Sequence, residues 1–167
     1  RLASIFGLTM VFAVSGWGAS SNNPAISLSC SPNPVVEGSS GNTAVVCTVS
    51  LSPAPDGKEI ELKIQTGDGT ATLANSDYQP LSQNLVFAVG SQATLSQNIT
   101  LNVIGDTAVE PNEYFTVAIV DNGTNASQDF TLPASPTTIT INNDDGSEIN
   151  VVGVADGAVV ASFGNTL

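Results

Sequence analysis

Apolar and polar residues alternate with a period of two along most of this chain. In residues 59–64, Ile60, Leu62 and Ile64 alternate with charged side chains, which predicts a strand with one face in a core. Turn residues separate such stretches, and Asn122-Gly123 predicts a hairpin turn. The predicted strands lie near residues 25–30 (continuing at 35–36), 43–51, 59–66, 84–89, 97–104, 114–120 and 137–142. This pattern predicts an all-β fold, an immunoglobulin-like antiparallel sandwich over residues 25–146.

Residues 1–20 break this pattern. Arg1 precedes an apolar run that ends in small residues, which is typical of a secretory signal peptide, and the run is shorter than the roughly 20 residues of a membrane span. Five large apolar residues of the run also alternate: Phe6, Leu8, Met10, Phe12 and Val14. A free apolar stretch of this length is unfavourable in water. We therefore expect an N-terminal segment and linker at residues 1–24 that is either removed as a signal or buried against another copy.

The chain continues beyond the predicted sandwich, at residues 147–167. Residues 149–154 and 158–163 read as two short strands around an Asp156-Gly157 turn. Because an isolated hairpin is only marginally stable in water, we expect this C-terminal hairpin to be an extension that docks elsewhere or the start of a further repeat.

The charge of the chain is strongly acidic. Fifteen Asp and Glu residues against three Lys and Arg residues give a net charge of −12. Such a surface repels phosphate groups, which argues against nucleic acid and anionic membranes as partners and leaves cations or basic partners. The chain also has no histidine, so the most frequent general base is missing. Together with the abundant Ser, Thr, Asn and Gly, these features favour a non-enzymatic exported surface protein.

The two cysteines, Cys30 and Cys47, have no zinc-binding spacing. The alternation places Cys30 on the same strand face as Ile26, and Cys47 on the inward face of the next strand, so both thiols are expected to point inward from neighbouring strands. A disulfide fits an oxidising compartment. Two buried free thiols that pack as small hydrophobes remain the alternative.

Four short motifs place carboxylates at the ends of predicted strands. They are Val36-Glu37-Gly38; Gly67-Asp68-Gly69-Thr70-Ala71 with Asp77-Tyr78; Asp106 with Glu110 and Glu113-Tyr114-Phe115; and Thr138-Ile139-Thr140-Ile141-Asn142-Asn143-Asp144-Asp145. Crowded carboxylates repel one another, and Ca²⁺ relieves that repulsion because it takes about six to eight oxygen ligands. In this order and spacing, the motifs resemble the Calx-beta domain, an immunoglobulin-like β-sandwich, over roughly residues 25–146.

This resemblance implies a Ca²⁺ site at one end of the sandwich. The ligands that it implies are Glu37, Asp68, Asp106, Glu110, Asp144 and Asp145. It also implies that Asp77 and Glu113 mainly order the loops. The sequence departs from the family's best calcium-binding members at Gly105 and Asn143, where further carboxylates often stand. A metal-free structural cluster is the alternative, because many members keep the motifs for folding.

A Calx-beta module with apolar extensions indicates a structural subunit that assembles with copies of itself into a bacterial surface filament. Assembly is then expected to use the alternating row of the N-terminal segment, taken up by a neighbouring copy. The alternative is a secreted or surface-anchored, calcium-dependent adhesion module that binds a cell-surface or carbohydrate ligand and loses residues 1–20. Neither interpretation requires a stable membrane span.

Three triplets match the acceptor sequence for N-glycosylation. They are Asn98-Ile99-Thr100, Asn122-Gly123-Thr124 and Asn125-Ala126-Ser127. In a chain rich in Thr and Asn such matches also arise by chance, so the sequence leaves open whether any of them is modified.

Overall fold

The structure is a computed structural model that describes residues 23–55, 57–90, 94–125, 129–153 and 159–165, with the backbone alone for 147–153 and 159–165. The N-terminal segment, with its alternating row at 6–14, and the predicted Asp156-Gly157 turn lie outside the described residues. The part described contains no helix long and apolar enough to cross a membrane.

The described residues fold into β-strands connected by loops. The strands are β1 (Ala25–Ser31), β2 (Val35–Val36), β3 (Gly41–Ser52), β4 (Ile60–Gly67), β5 (Ser82–Phe87), β6 (Ser96–Gly105), β7 (Glu113–Asp121), β8 (Thr137–Asn142), β9 (Ser147–Gly153) and β10 (Val159–Asn165). Each predicted strand has a counterpart, with ends shifted by one or two residues. The continuation at 35–36 is a short strand of its own.

Two sheets face each other and form the sandwich. One has the order β1-β3-β6, and the other has the order β2-β8-β7-β4-β5. Neighbouring strands are antiparallel except for β2, which runs parallel to β8. β9 and β10 form a separate antiparallel pair. The prediction of an all-β antiparallel sandwich with a C-terminal hairpin is therefore confirmed.

The core lies between the two sheets and follows the alternation of the sequence. The inward residues of β4 are fully buried, as are those of β7 up to Val117. Tyr78, which lies outside the strands, stacks on Phe115 of β7 with ring centroids 4.3 Å apart. Because an aromatic pair of this geometry adds about 0.5–1.5 kcal/mol beyond burial, it fixes the loop before β5 against the second sheet.

The crossover from β1 to β2 brings the chain from one sheet to the other. Asn33 stands between two prolines in this crossover, and its side chain bonds to β8 as a strand backbone would. Its Nδ2 donates to the carbonyl of Thr138 over 2.8 Å, and its Oδ1 accepts from the amide of Thr140 over 3.0 Å. This anchor fixes β2 beside β8, and the chain that leaves β2 enters the loop end of the sandwich at Glu37.

The predicted hairpin turn at Asn122-Gly123 is wrong. β7 and β8 are antiparallel neighbours, but residues 122–136 connect them. The physical reason is that this loop bonds to β4 instead of reversing at once. Asn122 Nδ2 donates to Glu61 Oε2 over 2.9 Å, and Asn125 Oδ1 accepts from the Glu61 amide over 2.9 Å.

A disulfide joins Cys30 and Cys47, and these residues lie directly opposite each other in β1 and β3. Cys47 is fully buried, and Cys30 is partly buried against the core. The predicted bridge is confirmed over the alternative of two free thiols. The bond fastens β1, an edge strand of its sheet, to the centre of that sheet.

We predict that the double replacement Cys30→Ala with Cys47→Ala lowers the free energy of unfolding by about 3 kcal/mol, the loop-closure value for a loop near 15 residues. The two cysteines are 17 residues apart. Urea denaturation measures the change. Reduction of the wild type is the matched control, since it should lower stability similarly and leave the double variant unaffected. Equal urea midpoints for the oxidised wild type and the variant would contradict the prediction.

Candidate metal centre

Four connections of the chain place carboxylates at the same end of the sandwich. Glu37 directly follows β2, and Asp144 and Asp145 come just after β8. Residues 106–112 connect β6 to β7, and residues 68–81 connect β4 to β5. Most of these carboxylates sit at or close to a strand end, and Asp77 is tied to β6 through its backbone carbonyl, which accepts from the Ile104 amide over 2.9 Å. The rigid sheets therefore determine which side chains meet.

The first group of carboxylates consists of Glu37, Asp144 and Asp145, whose nearest oxygens lie within 4.8 Å of one another. Backbone bonds hold β2 and β8 together here, since the Glu37 amide donates to the Asn142 carbonyl over 3.2 Å. Asp144 Oδ1 accepts from the Gly38 amide over 2.9 Å. Glu37 and Asp145 are only 5 % and 4 % exposed, so two carboxyl groups are buried side by side.

Two oxygens of this group lack a hydrogen-bond donor. Glu37 Oε1 and Asp145 Oδ2 are buried and accept no hydrogen bond from any described residue. A buried acceptor without a donor costs about 1–3 kcal/mol, and more when it is charged. These two atoms therefore require a proton, a donor or a cation that the described residues do not supply through a hydrogen bond.

The second group consists of Asp77, Glu110 and Glu113, with oxygens also within 4.8 Å of one another. Asp77 is 7 % exposed, and its Oδ2 accepts from the Thr72 amide over 2.6 Å. Burial, followed by the charge of Asp77 and a hydrogen bond to it, raises the pKa of Glu113. Burial is also the largest cause that raises the pKa of Glu110. The second group is thus crowded as well, although Asp77 has a partner.

The electrostatic field of the whole end acts on Glu37. Burial first, and the neighbouring carboxylates second, raise the pKa of Glu37 to about 7. These neighbours belong to both groups and to the loop after β6; in decreasing order of effect they are Asp106, Glu110, Asp145 and Asp144. The two groups are therefore parts of one acidic centre.

Asp106 and Asp68 belong to neither group. Asp106 lies close enough to raise the pKa of both Glu37 and Glu110, and its Oδ1 accepts from the Ala108 amide over 2.7 Å. Asp68 Oδ1 instead accepts from the Tyr78 hydroxyl over 2.5 Å and from the Leu73 amide over 3.1 Å. Asp68 thus orders the loop after β4, and its role as a ligand stays a prediction.

Gly105 and Asn143, where the sequence departs from the family's best calcium binders, have structural roles here. A Cβ on Gly105 would lie 2.0 Å from the Gly38 carbonyl oxygen, so no side chain fits where β6 meets the chain after β2. Asn143 Oδ1 accepts from the Asp145 amide over 2.6 Å, and its Nδ2 donates to the Ala108 carbonyl over 3.1 Å. A carboxylate could not make the second bond, because it has no N–H group.

Of the residues that the resemblance implies as ligands, the structure groups Glu37 with Asp144 and Asp145, and it places Glu110 in the second group. That group also contains Asp77 and Glu113, to which the sequence analysis gave a loop-ordering role. Their signal in the sequence was their place in the motifs: Asp77 directly precedes Tyr78, whose buried ring stacks on Phe115 of β7, and Glu113 is the first residue of β7. Both residues are thereby held near the end of the sandwich where the carboxylates converge.

The donor set fits a hard cation. All donors are carboxylate oxygens, without thiolate or imidazole, which suits Ca²⁺ or Mg²⁺ rather than zinc or copper. The two oxygens without a donor, on Glu37 and Asp145, are atoms that such an ion would coordinate. A bound ion would also offset the mutual repulsion that raises the pKa of Glu37.

Solved structures similar to this chain include the following three. "CBD12 from CALX1.2" is 25% identical with a TM-score of 0.50 over 67% of this chain, which spans 41% of that chain. The "apo-form Calx CBD1 domain" is 21% identical with a TM-score of 0.54, over 74% of this chain and 99% of that chain. "Calcium binding domain CBD12 of CALX1.1" is 23% identical with a TM-score of 0.54, over 76% of this chain and 50% of that chain. The last two similarities support the fold alone.

No curated protein matches the chain. The family model of the Calx-beta domain matches residues 21–145, which is most of the chain and includes both carboxylate groups. The sequence resemblance, the two-sheet topology and this match agree. The chain belongs to the Calx-beta domain family.

Proposed function

We propose that this chain is a non-enzymatic module that binds Ca²⁺ at the acidic end of its sandwich. The observation that carries the proposal is the pair of buried oxygens without a donor, Glu37 Oε1 and Asp145 Oδ2, inside a group of three carboxylates. Asp144 completes this group, and the second group with Glu110 extends the acidic surface beside it. Membership of the Calx-beta domain family and similarity in fold to the "calcium binding domain CBD12 of CALX1.1" support the choice of ion.

An ion in this position joins segments that are distant in sequence. Glu37 follows β2 and Asp145 follows β8, while Asp77 and Glu110 stand in two further loops. A cation held by such ligands adds bonds between them in the folded chain and none in the unfolded chain, so it stabilises the fold. The chain has no histidine, and its carboxylates lie in two groups whose oxygens are within 4.8 Å of one another. Both features support a binding role over catalysis.

We propose an extracellular location and a structural role for the module. The Cys30–Cys47 disulfide supports export, because such bonds persist in oxidising compartments. The alternating apolar row at residues 6–14 supports assembly with copies of the same chain into a surface filament.

The second candidate is a secreted or surface-anchored adhesion module that binds a cell-surface or carbohydrate ligand in a calcium-dependent manner. The signal-like character of residues 1–20 favours it, because a cleaved segment cannot assemble. N-terminal sequencing of the mature natural protein discriminates between the two: a start near Ser20 or Ser21 favours the adhesion module, whereas retention of Arg1 favours assembly.

The first prediction concerns calcium and stability. The free energy of unfolding should rise with free Ca²⁺, by about 2.7 kcal/mol at a concentration 100-fold above the dissociation constant. Thermal and urea denaturation in Ca²⁺ and in chelator measure the rise. Asp145→Asn should reduce it strongly, because Asp145 is buried in the first group.

Asp129→Asn is the matched control for this experiment. It removes the same charge from an exposed residue that precedes Thr131, the neighbour of the β1 start at the opposite end of the sandwich. It should leave the calcium response unchanged. Equal stability in millimolar Ca²⁺ and in chelator would contradict calcium binding and leave the metal-free structural cluster.

The second prediction concerns pH in the presence of chelator. Because the folded-state pKa of Glu37 is raised from 4.5 to about 7, its protonated form favours the folded state. This contribution is complete below pH 4.5 and is lost as the pH rises to about 7. Urea denaturation across this range should show a loss of up to about 3 kcal/mol from this group. Glu110 and Glu113 act in the same direction.

Glu37→Gln should flatten this pH dependence, because glutamine stays neutral and keeps the shape of the protonated side chain. Glu59→Gln is the control, since Glu59 is exposed at the opposite end, before β4. Ca²⁺ should weaken the pH dependence of the wild type near neutral pH. If the free energy of unfolding changes equally with pH in Glu37→Gln and in the wild type, both in chelator, then the raised pKa of Glu37 does not cause the pH dependence.

The third prediction concerns assembly. Phe6→Asp together with Phe12→Asp should give a folded monomer, because five buried side chains of the row would contribute about 7–15 kcal/mol before ordering costs. Electron microscopy and sedimentation measure assembly. Thr9→Asp with Ala13→Asp places the same charge on the opposite face of the segment and serves as the control. Filaments formed by the Phe6→Asp/Phe12→Asp variant would contradict the filament proposal. A mature natural protein without these residues would contradict it as well.

A further inference from the structure

The three N-glycosylation triplets differ in what their asparagine side chains bond to. We propose that Asn98 carries an N-linked glycan and that Asn122 and Asn125 do not. The proposal rests on the proposed export of the chain, since the modifying enzyme acts on exported chains. It is carried by the hydrogen bonds of the three side-chain amides.

Asn98 presents its amide nitrogen to solvent. It is an exposed residue of β6, opposite Thr48 of β3. Its Oδ1 accepts from the Thr48 hydroxyl over 2.9 Å, whereas its Nδ2 has no bond to any described residue. Thr100, which supplies the hydroxyl of the triplet, is exposed on the same face of the strand. A glycan on Nδ2 would keep the bond from Thr48, because that bond uses only the oxygen.

Asn125 uses its whole side chain inside the fold. Its Nδ2 donates to the Glu61 carbonyl over 2.5 Å and to Asp121 Oδ1 over 2.6 Å, and its Oδ1 accepts from the Glu61 amide. A side-chain amide has two N–H groups, and attachment of a sugar removes one of them. A glycan on Asn125 would therefore break one of these bonds and place a bulky group between the loop and β4.

Asn122 is engaged in the same network. Its Nδ2 donates to Glu61 Oε2 over 2.9 Å, and its Oδ1 accepts from the Thr124 hydroxyl over 2.6 Å. That hydroxyl, which the triplet requires, also contacts Glu61 Oε2 over 2.9 Å. A sugar on this nitrogen would place a bulky group beside Glu61, within the network that fixes the loop after β7, so we expect this triplet to stay unmodified.

The surroundings of Asn98 accept a bulky group. β3 is the neighbour of β6 in the sheet, and the bridge from Tyr78 to the other edge of β6 is at Val103, away from Asn98. The outward neighbours of Asn98 are uncharged: Ser29, Val46, Thr48, Ser50, Ser96 and Thr100. A sugar attached to Asn98 would lie over this neutral surface and would desolvate no charge.

The modification uses a lipid-linked oligosaccharide as co-reactant. Asn98 Nδ2 attacks the anomeric carbon of the first sugar, and an N–C bond forms while the bond from that carbon to the lipid pyrophosphate breaks. The pyrophosphate leaves with the electron pair, and the amide nitrogen loses one proton to the catalytic base of the transferase. No oxidant or reductant is needed.

The test expresses the full chain behind a host signal peptide in a eukaryotic secretory host, so that entry does not depend on residues 1–20. Intact mass before and after enzymatic release of N-glycans, followed by peptide mapping, gives the occupancy of each triplet. We expect one glycan, at Asn98, and loss of it in both Asn98→Gln and Thr100→Val. Thr100→Ser should retain it, because serine keeps the hydroxyl.

The thermal midpoint supplies a second readout. Asn125→Gln should lower it, because the network with Glu61 is lost, and Asn98→Gln should change it little. Thiol alkylation shows whether the Cys30–Cys47 bridge has formed and thus whether the chain entered the oxidising lumen. An unmodified Asn98 in disulfide-bonded, folded protein would overturn the proposal and leave export intact. A glycan on folded protein at Asn125 would overturn it too.

Discussion

Repulsion among buried carboxylates is the constraint around which the loop end of this sandwich is arranged. Glu37 and Asp145 are almost completely buried, and the charges of Asp106 and Glu110 reach Glu37 as well. Isolated carboxylates would neutralise themselves in such a place, and Glu37 does so in part, with a pKa of about 7. The fold must hold this end together against its own charge. It does so with rigid strand ends and backbone bonds, and it leaves two oxygens for a cation to satisfy.

The scaffold that resists this repulsion is built from contacts that carry no charge. Asn33 bonds to the backbone of β8 and fixes β2 beside it, and Tyr78 stacks on Phe115 beneath the loop that holds Asp77. Gly105 lets the chain after β2 approach β6 more closely than any side chain would allow. These contacts hold the carboxylates together without an ion, so a cation that bound there would meet ligands that are already gathered.

The sequence predicted the strands and the end of the sandwich that holds the carboxylates, because alternation and strand-end motifs are local signals. It could not predict which oxygens meet. Asp68 lies in a motif of the family, but its oxygen is taken by the Tyr78 hydroxyl, a contact that depends on the stacked ring. It also could not predict the long loop after β7, since Asn122-Gly123 favours a tight turn locally and only the distant Glu61 draws the loop onto β4. Both misses are contacts that depend on the folded arrangement of the chain, which local patterns do not encode.

Two glutamates of this chain show why one end suits a metal ion and the other does not. Glu61, at the opposite end, accepts hydrogen bonds from Asn122 and Thr124, and these bonds lower its pKa. Glu37 accepts no hydrogen bond at Oε1, and its burial, together with the acids around it, raises its pKa. A glutamate carboxylate thus has its hydrogen bonds satisfied where amides and hydroxyls surround it, and it has an unsatisfied oxygen where other carboxylates surround it. A proton can relieve the charge on Glu37, whereas a cation bound there would in addition bond to several of the neighbouring carboxylates at once.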